Sequence, residues 1–201
     1  MSLKTGDILL FDEHPDNWLM ATIDSAIRCF TRSQYSHVGL VVINPPWAPE
    51  GKYVWDSSKH NIPDPSDNKI KFGIALVPLE HYLDQTAGRQ QLYVRRPLQS
   101  ETYELFSDDF LLKLHDKVYG KHYDLTFSHW LAGFLHILIP RSTETFFCSA
   151  FVSYALVSAG ILSKKTDWTI ISPAQLSSEN DDHLHWLLNY GPDTPYPINN
   201  P

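Results

Sequence analysis

The stretch "FFCSAFVSYALVSAGIL", Phe146 to Leu162, constrains the chain more than any other. Its spacing predicts a helix that Gly160 ends. Phe147, Phe151 and Tyr154 fall on one side, and Cys148, Val152, Ala155, Leu156 and Ala159 on another. A helix apolar on nearly all sides has to be surrounded by protein, so it is expected at the centre of the fold with a sheet packed against it. With 43% hydrophobic and 13% aromatic residues, the 201-residue chain has enough apolar side chains to cover it. That length suits one domain, read as 1–190 with a Pro/Asn-rich tail over 191–201.

Strand candidates supply the cover. "GDILLF" (6–11) reads as a short buried strand. "YSHVGLVVI" (35–43) has little polar alternation, as expected of a strand covered on both faces. "KYVWDSS" (52–58) reads as its hairpin partner, followed by an irregular "HNIPDPSDNK". "KFGIALVPL" (71–79) and "QQLYVRR" (91–96) are further strands, with one or two helical turns in "LEHYLDQ" between them. Helices are predicted over 17–30 and over 100–120, the latter capped by Ser100 and ended by Gly120. "WTIISPAQLSS" reads as a short strand and a turn of helix opened by Ser172-Pro173. The expected class is α+β, with a mostly antiparallel sheet of about four to six strands.

Several functions are disfavoured. A net charge of -7 and the lack of a dense Lys/Arg run argue against duplex nucleic acid as a partner. The longest strongly apolar stretch, "WLAGFLHILIP" (130–140), is too short to span a bilayer, though as a hydrophobic wall it would allow peripheral membrane contact. The opening residues do not read as a signal peptide, so the expected location is cytoplasmic. Two cysteines, Cys29 and Cys148, do not make a disulfide framework, and reduced thiols are the simpler expectation. Cys29, beside Phe30 on the first helix, reads as a packing residue. His115, His122, His129 and His136 recur every seven residues, but Gly120 and a polar loop should interrupt any helix that would align them. HExxH is absent, "HLH" at 183–185 is a weak signal, and no metal or organic cofactor is expected.

Cys148 by itself reads as a small buried hydrophobe. At the head of a helix, however, the dipole favours a thiolate, and the first backbone N–H groups can face an oxyanion. A nucleophilic thiol also needs an imidazole, and that imidazole needs an orienting group. His37 is the strongest of ten histidines, because it enters a buried strand where a polar ring is costly without a partner. Asp56, on the hairpin partner strand, would lie beside His37 and accept from the ring nitrogen turned away from sulfur. His60 is the alternative third residue.

The order "GDILLF", "SHVGLVV", "YVWDSS", "GKHYDLTF", "FFCSAFVSYALVSAGIL", "ISPAQL" resembles the permuted NlpC-type, papain-like cysteine amidases of the YiiX-like group. The resemblance covers 6–43 and 120–175 well and 44–119 loosely. It implies a papain-like, circularly permuted fold, an antiparallel sheet or half-barrel on a helix carrying the nucleophile. It further implies Cys148 as nucleophile, His37 as general base and Asp56 as orienting acid, where members of the family often carry Glu. Tyr123 resembles a family tyrosine near the nucleophile. The implied reaction is acyl transfer from an amide or ester, with a small-molecule, peptide or lipid-like acyl substrate and no cofactor. Two other readings stay open: a lipid-directed acyltransferase or phospholipase of the lecithin:retinol acyltransferase type, and a silent binding module on the same scaffold.

Overall fold

Strand β2 (His37–Ile43) is buried along its five inner residues, and alternate side chains enter different cores. Val38, Leu40 and Val42 face one apolar layer, and Val41 faces the other. Neighbouring β1 (Ile8–Asp12) repeats the pattern, with Ile8 and Leu10 on the first face and Leu9 and Phe11 on the second. Continuous apolar runs of this kind are what a sheet covered on both sides requires. The structure is a computed structural model and describes residues 2–12, 33–85, 91–123 and 145–197.

Among the described residues the sheet has eight strands in the order β7-β6-β4-β3-β2-β1-β5-β8. The others are β3 (Lys52–Asp64), β4 (Lys69–Pro78), β5 (Gln91–Arg95), β6 (His122–Tyr123), β7 (Thr145–Phe146) and β8 (Thr194–Pro195). All pairings are antiparallel except β6 with β7. The sheet is larger than the four to six strands expected. The three additions are two-residue strands, too short to show a period of two. The segment after Ser58 is also not an irregular loop: β3 runs on to Asp64, with its register broken between Lys59 and Pro63.

Helix α1 (Leu79–Gln85) follows β4 and sends Leu79 and Tyr82 into the second layer. The helix expected over 100–120 is divided. A 3-10 turn spans Ser100–Phe106, and α2 spans Asp108–Val118. Ser107, not Ser100, caps α2, its hydroxyl accepting from the Phe110 N–H at 3.4 Å. Asp108 and Asp109 follow in the first turn, where the dipole favours them. The break frees Tyr103 to donate its hydroxyl to Asp7 Oδ1 at 2.8 Å. Helix α3 (Cys148–Ser158) fills the first layer, with Phe151, Val152, Ala155 and Leu156 fully buried. It is the central helix that its composition demands, and Gly160 (φ 76°) ends it.

The segment read as a strand before Ser172 is a 3-10 turn, Trp168–Ile170, because Asp167 accepts from the Thr169 N–H and closes a local turn. Ser172 then forms a reciprocal capping box with Gln175 at the head of α4 (Pro173–Leu176). The chain's last described residues join the sheet through β8 on β5 and through Tyr196 N–H donating to Leu92 O at 2.7 Å. Arg95 of β5, 2% exposed, fastens this end by donating to Gly191 O (2.8 Å), Leu176 O (3.0 Å) and the Asp181 carboxylate. The helix expected over 17–30, Cys29 and the 130–140 stretch lie outside the described residues. Among those described, no helix is long and apolar enough to cross a membrane.

Gly39 shows how tightly β2 meets β3. A Cβ there would sit 2.3 Å from Val54 Cγ1 and 3.3 Å from Asp56 Cβ. Val54 is fully buried and stiff at χ1, so it cannot easily swing away. Gly39→Ala is therefore expected to cost about 1–3 kcal/mol of stability, read as a lower urea midpoint. A wild-type midpoint would show that the two strands can part there.

Candidate active site

His37 is the first residue of β2. It stands opposite Phe11 of β1, with the two rings 5.0 Å apart. Its side chain is 12% exposed, and Nε2 donates to Asp56 Oδ2 at 2.6 Å. Asp56 lies in β3, in register with Ala75 of β4, and is fully buried. Its Oδ2 also accepts from the Tyr82 hydroxyl at 2.6 Å. His60 approaches the other oxygen, with Nε2 3.4 Å from Oδ1 and 3.0 Å from the Gly73 carbonyl. Of the two candidates for the third position, Asp56 is thus the one that meets His37, and His60 stands behind it.

Cys148 is a free, buried thiol at the first position of α3. Its sulfur lies close enough to the His37 ring to favour the charged imidazole. Because Nε2 is engaged by Asp56, Nδ1 is the nitrogen left for sulfur. The residue before it, Phe147, has no side chain able to cap the helix, and the first helical bond runs from Phe151 N–H to Phe147 O at 2.9 Å. The N–H groups of Cys148, Ser149 and Ala150 therefore have no acceptor within the helix and point past its end.

The electrostatics follow from burial and pairing. Burial opposes a charged His37, but the Cys148 sulfur and the Asp56 carboxylate outweigh it, and the imidazole is held well above its ordinary range. Burial likewise pushes Asp56 up. Charge interaction with His60 and then His37, with hydrogen bonds from His37 and Tyr82, reverses this and holds the carboxyl below its ordinary range.

Tyr123 pairs through its backbone with Phe146, two residues before Cys148, which puts β6 beside the chain that leads into α3. Its side chain lies outside the described residues. The seven-residue histidine series does not form one face: His115 is on α2 with its ring stacked 4.6 Å from Trp47, and His122 is on β6. His129 and His136 are outside the described residues. Among those described, no group of three or more His, Cys, Asp or Glu side chains is placed to hold a metal ion. Tyr82 escaped the sequence reading. Its only signal is that a tyrosine three residues after a buried Leu79 carries a hydroxyl that needs a partner inside.

In outline, then, this is an α+β protein with a central helix on a two-faced, mostly antiparallel sheet and a thiol, an imidazole and a carboxylate in contact at the strand end. No protein-family model matches the sequence, and no curated protein does. Among solved structures, the crystal structure of the metalloprotein yiiX from Escherichia coli O157:H7, DUF1105, superimposes with a TM-score of 0.51 at 17% identity over 98% of each chain. That likeness shows a similar fold and no more.

Replacing Asp56 by Asn removes the carboxylate that favours the imidazolium. His37 in Asp56→Asn is expected to titrate at lower pH than in the wild type, followed by NMR of 15N-labelled histidine. An unmoved midpoint would mean that Asp56 does not set the charge of His37.

Proposed function

We propose that the protein is a permuted NlpC-type, papain-like cysteine hydrolase that cleaves an amide bond, in a peptide or an N-acyl compound, through Cys148, His37 and Asp56. The observation that carries this reading is a single ring, His37, hydrogen-bonded to a buried carboxylate, with its charged form favoured by the Cys148 sulfur and by that carboxylate. That is the arrangement needed for an activated nucleophile.

The steps follow from the atoms. His37 Nδ1 takes the thiol proton, and the thiolate attacks the carbonyl carbon to form a C–S bond. The carbonyl oxygen, now an oxyanion, faces the uncapped N–H groups at the head of α3. His37 returns its proton to the amine nitrogen as the C–N bond breaks, leaving an acyl-thioester. Water then gives a proton to Nδ1 and attacks the thioester carbon. The C–S bond breaks, the acid leaves, and the thiolate is restored. Asp56 stays ionised throughout and keeps Nε2–H turned away from sulfur, so that Nδ1 always faces it.

The structural neighbour is described as a metalloprotein. The donors gathered around Asp56 do not fit an ion. The Asp56 oxygens and the His37 and His60 nitrogens are turned on one another, on Tyr82 and on Gly73 O, and no step is routed through a metal. A free Cys148 suits a reducing, cytoplasmic setting. The lipid-directed reading rests on the 130–140 stretch and gains no support from the described residues.

Iodoacetamide or an activated acyl ester is expected to modify Cys148 in the wild type. Cys148→Ala should fold normally and lose that adduct by mass spectrometry. His37→Ala should slow it by about a hundred- to ten-thousandfold, the usual weight of a general base. Modification that moves to Cys29, or a His37→Ala rate equal to wild type, would reject the assignment.

A further inference from the structure

We propose that His60 and Tyr82 are positioning residues, a two-sided clamp that holds the Asp56 carboxylate in the one orientation that locks the His37 ring. The inference rests on the reading of Cys148, His37 and Asp56 as the reacting set, and it names what keeps that set aligned.

The carboxylate is unevenly served. Oδ2 accepts two short hydrogen bonds, from His37 Nε2 and from the Tyr82 hydroxyl, both at 2.6 Å. Oδ1 is buried and has no hydrogen-bond partner among the described residues. Its close approach is to His60 Nε2, at 3.4 Å. The terminal torsion of an aspartate is broad, so a buried carboxylate with one bare oxygen can turn and trade its oxygens. Tyr82, arriving from α1 across the second layer, resists that turn on Oδ2. Its ring is held 4.8 Å from that of Phe11, which also packs on His37.

His60 resists the turn on Oδ1. Asp56 and His60 are an even number of residues apart on β3, so their side chains share one face, and His60 Nε2 lies 3.4 Å from Asp56 Oδ1. His60 stands where the regular register of β3 ends, between Lys59 and Pro63. Such irregularities re-aim a side chain at a site. The His60 ring is then held by the Gly73 carbonyl at 3.0 Å, with Ser58 Oγ 3.4 Å from Nδ1. Gly73 itself admits no side chain, because a Cβ would lie 2.2 Å from Lys121 O. The Gly73 carbonyl and Ser58 thus hold a histidine that meets the catalytic set only through Asp56. The titratable groups facing this carboxylate are His37 from β2, His60 from β3 and Tyr82 from α1. Cys148 of α3 lies beyond His37, and His81 of α1 interacts with His60.

The test uses the full chain and two readouts: the 15N tautomer of His37 at alkaline pH, and the rate of Cys148 alkylation by iodoacetamide. The wild type is expected to show the Nε2–H tautomer alone. Tyr82→Phe, which removes one oxygen and keeps the ring, should give a tautomer mixture and slow alkylation about tenfold, the effect of losing one hydrogen bond to a charged group; His60→Leu, which keeps the volume but removes the polar ring beside Oδ1, should also give a tautomer mixture and slow alkylation. His60→Gln, which keeps a polar group beside Oδ1, should restore most of both. A wild-type tautomer and rate in Tyr82→Phe or His60→Leu would overturn the clamp, and so would a His60→Gln variant as impaired as His60→Leu. Failure of the underlying reading is separately visible. Alkylation would then not depend on His37, whereas failure of the clamp alone leaves that dependence intact and the tautomer unmoved.

Discussion

The structure is organised around a fully buried carboxylate. Taking Asp56 out of water costs several kcal/mol unless charges and donors replace the lost hydration. Each neighbouring element contributes to that compensation: β2 supplies His37, α1 supplies Tyr82, and β3 itself supplies His60. Gly39 belongs to the same arrangement, since a side chain on β2 at that point would press on Asp56 Cβ and on Val54. Removing any one donor leaves the charge worse satisfied, so the local fold and the chemistry of His37 are coupled through one side chain.

Placing His37 at the end of a strand is a consequence of the layering. By alternation His37 shares the face of Val41, and its ring packs on Phe11 in the second layer. Cys148 belongs to the first layer, on the opposite face. In mid-strand, the sheet itself would separate the two. As the first residue of β2, His37 can reach past the sheet and touch both sides. The thiol comes from the helix on one face, and the tyrosine supporting Asp56 comes from the helix on the other.

How much of this was legible in the sequence depends on the range of the forces involved. The central helix, the buried strand opening on His37 and the hairpin carrying Asp56 are local consequences of apolar spacing, and they can be read along the chain. The split of 100–120 was hidden because Ser100 and Ser107 are equally good caps on paper. The tie between Tyr103 and Asp7, 96 residues apart, favours a break between them. The extension of β3 beyond Ser58 was hidden because Pro63 and the Asp/Asn cluster signal a loop, whereas the register break lets the strand absorb them. His60 was noticed as a rival to Asp56. Its actual place, behind Asp56 and not in place of it, is held by the Gly73 carbonyl of the next strand and is invisible to any periodicity.

The head of α3 carries the same logic from the opposite direction. A helix start with no capping side chain forgoes about 0.5–2 kcal/mol, and α3 is preceded by Phe147, which can offer none. α2 and α4, by contrast, are both capped by serine, at Ser107 and Ser172. A serine one residue before Cys148 would satisfy an N–H of the first turn and place its own oxygen where an oxyanion would have to sit. Under the proposed reaction, the missing cap leaves those donors for the transition state. The stability forgone at this helix start is the counterpart of the stabilisation concentrated on Asp56: one end of the catalytic set is over-determined so that the other can stay unfilled.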